Sequence, residues 1–221
     1  MDLKKYGNVI NHQIYYFLIH NLNFSVISDD CWGGQIYRDI GRHYLTPFVG
    51  TFINPEDYLK LCINLQDYLL LPLHFIESNK CRPGEDSPFP IAMLGDIEIN
   101  FMHYNSREEA LQKWTRRIQR VNFDNVFFKI DFERQGPYGK RPYNTTDIRN
   151  WNHLRFSNSI AITSQKQSGI FQSLYLPEHH PNAVITYWRS RRHFSLVNWL
   201  NKGEINNTLS NCIVSYFLPK N

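Results

Sequence analysis

The run Ser28-Asp29-Asp30-Cys31-Trp32-Gly33-Gly34 brings a thiol, two carboxylates and two glycines together between an apolar stretch and a helical pattern. A thiol just ahead of a helix meets free backbone amides and the positive end of the helix dipole, both of which stabilise a thiolate. Cys31 is therefore the candidate nucleophile. The glycines would let a substrate approach the backbone, and free amides there could hold an oxyanion. Asp29 and Asp30 pull the other way, because neighbouring negative charge disfavours a thiolate. The competing reading makes Cys31 a small buried apolar residue at a tight turn, with Trp32 packed into the core.

A thiol nucleophile needs an imidazole within hydrogen-bond reach. His103, closing an apolar stretch over residues 97–103, is the natural partner. The candidate catalytic residues are thus Cys31, His103 and Asp30, with Trp32, Gly33 and Gly34 beside them for substrate. Lys113, Arg116, Arg117 and Arg120 add a second binding feature, since their i, i+3, i+4, i+7 spacing puts four cations on one helix edge. Guanidinium forks match phosphate and carboxylate bidentately. The rival reading is a solvated face balanced by Glu108 and Glu109.

Three other patterns carry less. Trp188-Arg189-Ser190-Arg191-Arg192-His193 is a second basic cluster, with an aromatic that could stack on a sugar or base, or else a surface turn. Asp131 and Glu133 have the D-x-E form that can hold a divalent metal, but read better as polar residues leaving a strand. His179-His180 has no spaced partner. Cys31, Cys62, Cys81 and Cys212 lie far apart without a C-x-x-C pair, so neither a zinc site nor a disulfide framework is expected. No metal site is predicted and the cofactor is left open.

The elements that must position these residues alternate. A strand over 24–27 runs into the Cys31 loop, and a helix over 35–41 ends on Gly41, suited to a left-handed cap. A strand over 48–53 precedes Asn54-Pro55-Glu56-Asp57, an N-cap signature opening a helix to about residue 70, in which Cys62 fills the apolar stripe. Residues 73–76 could form another strand, and 78–90 read as an irregular loop carrying Cys81. Strands over 91–94 and 97–103 flank Gly95-Asp96 as a hairpin. Ser106 and Glu109 form a capping box for a helix to about Arg120. Beyond a wholly apolar-faced strand over 126–130 and a loop over 136–144, the pattern gives a helix over 146–154 and strands over 159–163 and 183–188. It also gives an uncertain 171–176, a helix over 196–200 and a strand over 213–217. This alternation predicts an α/β fold, a mixed, largely parallel sheet with helices on both faces. The chain reads as one domain over 1–221, with a small C-terminal subdomain from about residue 140 as the alternative.

With 42% hydrophobic and 20% charged residues, the chain is neither disordered nor fibrous. The apolar region 14–27 is broken by His20, Asn21 and Asn23, so no membrane span is predicted, and no convincing secretory signal is seen. A cytoplasmic location is the expectation. A net charge of +4 is too small to imply nucleic acid.

Cys-Trp-Gly-Gly at 31–34, Thr-Pro-Phe-Val at 46–49, His-Tyr-x-Ser at 103–106 and Lys-Trp-x-Arg-Arg at 113–117 together resemble a bacterial domain-of-unknown-function family associated with exopolysaccharide biosynthesis. The likeness spans most of residues 20–135 and also implies an α/β fold. It implies a context in surface-polysaccharide biosynthesis and no particular chemistry; joined to the residues above, the leading expectation is a transferase or hydrolase acting on an activated or acylated sugar, with Cys31 as nucleophile and His103 as base. The ligand would be a carbohydrate, sugar phosphate or nucleotide sugar, held by the basic edge. A metal-dependent glycosyltransferase using Asp131 and Glu133 is one alternative. The other is a non-catalytic sugar-binding or assembly protein using Trp32, Trp114 and the arginines. The oligomeric state is left open.

Overall fold

The structure, a computed structural model, describes residues 12–78, 80, 84–133, 144–166 and 169–206. The expected strand over 213–217, Cys81 and Cys212 lie outside these residues, as does most of the 136–144 loop. Among the described residues no helix is long and apolar enough to cross a membrane.

The fold is α/β, with parallel and antiparallel pairing both present. The parallel strands β1 (Ser25–Ser28), β6 (Val126–Asp131), β7 (Ser159–Thr163) and β8 (Ser173–Tyr175) form one sheet in that order. The antiparallel strands β2 (Phe52–Ile53), β3 (Leu73–Ile76), β4 (Ile91–Leu94) and β5 (Ile97–Asn100) form a second, ordered β2-β5-β4-β3. The Ile53 amide donates to the Asp29 carbonyl at 3.0 Å, joining the two sheets where β1 ends.

Helices cover both faces of the parallel sheet. On one, Val26, Phe127, Ile160 and Ile162 pack against α1 (residues 12–18), α2 (Trp32–Asp39), α7 (Ala183–Ser190) and α8 (Leu196–Lys202). On the other, Ile27, Phe128, Ile130 and Ala161 meet α3 (Pro55–Ile63), α5 (Arg107–Ile118), α6 (Thr145–Leu154) and the antiparallel sheet. Side chains of successive strand residues alternate between faces, so each strand serves two cores.

Several expectations change in detail. The helix from Pro55 breaks at Asn64, and a separate short helix α4 (Leu65–Leu69) follows. Asn54 does not cap α3 with its side chain, which donates instead to Glu98 at 3.2 Å. The capping box at α5 is half formed: Ser106 accepts from the Glu109 amide, whereas the Glu109 carboxylate takes the Asn105 amide. Residues 183–188, read as a strand, are helical. Asn182 caps α7 by accepting from Val184 and Ile185, and this local start outweighs the β-branched run that follows. The hairpin at Gly95-Asp96 forms as expected, with Gly95 at φ 63°.

Candidate functional site

The helix α2 begins at Trp32, immediately after Cys31, so the thiol does stand at a helix N-terminus. The chain itself uses the amides there. Asp30 Oδ1 accepts from the Trp32 amide at 2.9 Å, and Ser28 Oγ accepts from the Gly33 amide at 3.3 Å. Two donors that could have formed an oxyanion hole are thereby occupied. Cys31 is 7% exposed and its Sγ points at the Thr51 carbonyl, 3.9 Å away.

The glycines serve packing. A Cβ on Gly33 would sit 2.8 Å from Ser28 Cβ and 3.1 Å from Val26 Cγ1, so only glycine lets α2 lie this close to β1. Trp32 is fully buried, its ring edge-on to Tyr187 and Trp199 and stacked near Phe194, with Nε1 donating to Ser190 Oγ. A ring so enclosed presents no face to a sugar.

His103 lies beyond the end of β5, exposed, with its amide donating to Gly50 O at 3.2 Å. The neighbour that reaches the Cys31 region is Tyr104. Its hydroxyl donates to Val49 O at 2.6 Å and accepts from Arg117 at 2.6 Å. Burial raises the Tyr104 pKa, opposed by Arg117 and reinforced by Glu109 and Cys31.

The expected cationic edge divides. Lys113 pairs with Glu109, and Arg117 is buried over the Tyr44 ring, while Arg116 and Arg120 are exposed. In the second basic cluster, Arg191 is 1% exposed and ties α7 to α1 through the Tyr15 hydroxyl at 2.6 Å; Asp39 of α2 is nearby at 3.7 Å. Arg191 is thus structural, while residues 191–193 do form a turn on which Arg192 is exposed.

A charged site that sequence reasoning missed lies where β1 and β6 end. Lys129, inside the strand taken as wholly apolar-faced, is fully buried on the α2 side. Its Nζ contacts Asp29 Oδ1 at 2.9 Å and Asp30 Oδ1 at 2.8 Å, with the Trp32 ring centroid 5.9 Å away. Asp29 also accepts from the Asp131 amide at 3.0 Å. Asp131, 1% exposed, accepts from the Glu133 amide through Oδ1 and meets His179 Nε2 through Oδ2 at 2.9 Å. Glu133 Oε1 in turn accepts from the Ser164 amide at 2.9 Å and Thr163 Oγ1 at 3.3 Å.

Three carboxylates around one ammonium leave excess negative charge. Burial lifts the Asp29 pKa to about 7; Lys129 opposes the rise, and Asp30 and Asp131 add to it. Burial also works against the Lys129 charge, but Asp29, Asp30 and Asp131 outweigh it and hold the ammonium protonated. The site thus keeps a fixed cation and an acid that takes up a proton near neutrality.

The signals were present in the sequence. A lysine inside a two-sided buried strand demands a carboxylate, and the twin aspartates ending β1 demand a cation. Asp131 and His179 are 48 residues apart and only the β6–β7–β8 stacking joins them. Among the described residues no group of three or more His, Cys, Asp or Glu is placed to hold a metal.

The sequence is 29% identical over 190 residues to an uncharacterised protein of Haemophilus influenzae, a match covering 82% of this chain and 85% of the relative. A family profile described as a domain of unknown function, DUF1919, matches residues 3–207, and the chain therefore belongs to that family.

Proposed function

We propose that the protein is an enzyme whose general base is His179, oriented by Asp131, and that it acts in surface-polysaccharide assembly as a transferase or hydrolase on an activated or acylated sugar. One observation carries the chemical part: a buried aspartate at the end of a parallel strand holds a partly exposed imidazole at 2.9 Å through Nε2. That contact fixes the ring's orientation. Nδ1 has no hydrogen-bond partner among the described residues and is the nitrogen left for substrate. It would take the proton from an attacking hydroxyl or water and return it to the leaving group. The carbohydrate context rests on the resemblance carried by the Cys-Trp-Gly-Gly, Thr-Pro-Phe-Val and Lys-Trp-x-Arg-Arg elements.

The base role moves from His103 to His179 in this reading because His103 is exposed and, among the described residues, is held through its main chain to Gly50. A covalent role for Cys31 is disfavoured, since a thiolate would face the Thr51 carbonyl and the Trp32 and Gly33 amides are already engaged. The metal-dependent alternative is likewise disfavoured, because Asp131 and Glu133 spend oxygens on backbone amides and His179.

The test is complementation of a strain deleted for the gene, with cell-surface polymer as readout. His179→Asn and Asp131→Asn should lower polymer by roughly 100-fold, the scale of a general base. His103→Ala and Cys31→Ala should retain it. Normal polymer from folded His179→Asn protein would end this proposal, and loss with Cys31→Ala alone would restore the thiol mechanism.

A further inference from the structure

At the opposite end of β1 from Asp29, a cavity of about 450 Å³ is lined by Gly41, Arg42, His43, Leu45 and Arg120. Its two walls are latched together. Ser25 Oγ, fully buried at the start of β1, donates to Leu45 O at 2.6 Å and accepts from the Asn122 amide at 2.9 Å. Leu45 and the turn that follows α5 are therefore held in fixed relation, which brings Arg42 and His43 to the same cavity as Arg120.

Among the described residues no acid balances the charge there. Lys113 has Glu109, and Arg117 has the Tyr104 hydroxyl and the Tyr44 ring, but Arg42, His43 and Arg120 have no acidic partner among the described residues. No lining residue carries a carboxylate. The negative end of α2 does not fill the role either. Gly41, at φ 67°, turns the chain so that its amide takes Arg38 O and the Arg42 amide takes Tyr37 O at 2.8 Å, closing the helix on itself.

We propose that this cavity is a binding site for a phosphate-bearing ligand, distinct from the His179 site. Two guanidinium groups offer planar forks that match phosphate oxygens, and the imidazole supplies a further donor. The volume falls in the range of pockets that hold small ligands, large enough for a phosphate together with part of the group it is attached to.

The experiment is calorimetric titration of the full chain with inorganic pyrophosphate at constant ionic strength, with glucuronate as the carboxylate arm. Pyrophosphate should bind saturably and glucuronate should not. Arg120→Ala and Arg42→Ala should each weaken binding by about tenfold or more, as expected for losing a charged hydrogen-bonding partner. Arg120→Lys, which keeps the charge but loses the fork, should fall between. Arg116→Ala, in the last turn of α5 and exposed but outside the cavity, should leave binding unchanged. So should Asp131→Asn, which separates this proposal from the assignment of the general base. Absence of saturable binding overturns it, as do equal losses in Arg116→Ala and Arg120→Ala. Preferential binding of glucuronate would overturn the phosphate assignment.

Discussion

Two buried carboxylate clusters, one at each sheet, solve the same problem differently. Against the antiparallel sheet, Asp57 of α3 and Glu98 of β5 are fully buried, and most of their partners are neutral donors. Asp57 Oδ2 accepts from the Glu98 amide at 2.9 Å and from Lys80 Nζ at 2.8 Å; Glu98 accepts from the Lys80 amide and the side chains of Asn54 and Asn100. That arrangement fastens the segment around Lys80 to β5, and its charged partners, Lys80 and Lys60 at 3.9 Å from Asp57, run out to solvent and to Asp96 without meeting an imidazole among the described residues. In the parallel sheet, the acids surround a fully buried lysine and the network ends on His179, which reaches solvent. Carboxylates satisfied mainly by amides fasten segments together, whereas those that share an ammonium and orient an imidazole make the arrangement on which the proposed general base rests.

The largest expected difference is in stability. Lys129→Met leaves Asp29 and Asp30 without their buried cation and should cost about 3–5 kcal/mol. A loss below about 1 kcal/mol in urea denaturation would erase the distinction between the clusters. Next is pH. The folded pKa of Asp29 lies above the ordinary carboxylate range, so its contribution to stability is full below about pH 4 and is lost as pH rises through about 7. Asp29→Asn should flatten that part of the decline, whatever it does to absolute stability; an unchanged slope would remove Asp29 as the titrating acid.

A smaller effect is expected at the antiparallel cluster. Lys80→Met should cost about 1–2 kcal/mol, because the ammonium is partly solvated and the Asp57 carboxylate keeps the Glu98 amide. A cost matching that of Lys129→Met would make the two clusters equivalent. The smallest is His179→Asn, which should change stability by less than about 1 kcal/mol. A large destabilisation there would mark the imidazole as a structural strut.

Much of the fold was legible in local sequence. The β1–loop–α2 unit, the Gly95-Asp96 hairpin and the helix over Arg107–Ile118 follow from hydrophobic period and turn chemistry, which act within a few residues. The α7 segment was not legible, because Val184 and Ile185 favour a strand by type and only the Asn182 cap and packing of Tyr187 on Trp32 favour a helix. The site was partly legible. Cys31 and the glycines stand where the pattern puts them, at a strand–helix junction, but what they do there is set by Ser28, Asp30 and Val26.

By itself the sequence determined which residues can ionise, which segments are periodic and where turns must fall, since these depend on side-chain type and short spacing. Tertiary structure alone decided that the amides ahead of Gly34 are spent on Asp30 and Ser28, that Lys129 is enclosed by Asp29 and Asp30, and that Asp131 holds His179. Partners about fifty to a hundred residues apart meet only when parallel strands stack side by side, and burial then decides which of them keeps a charge.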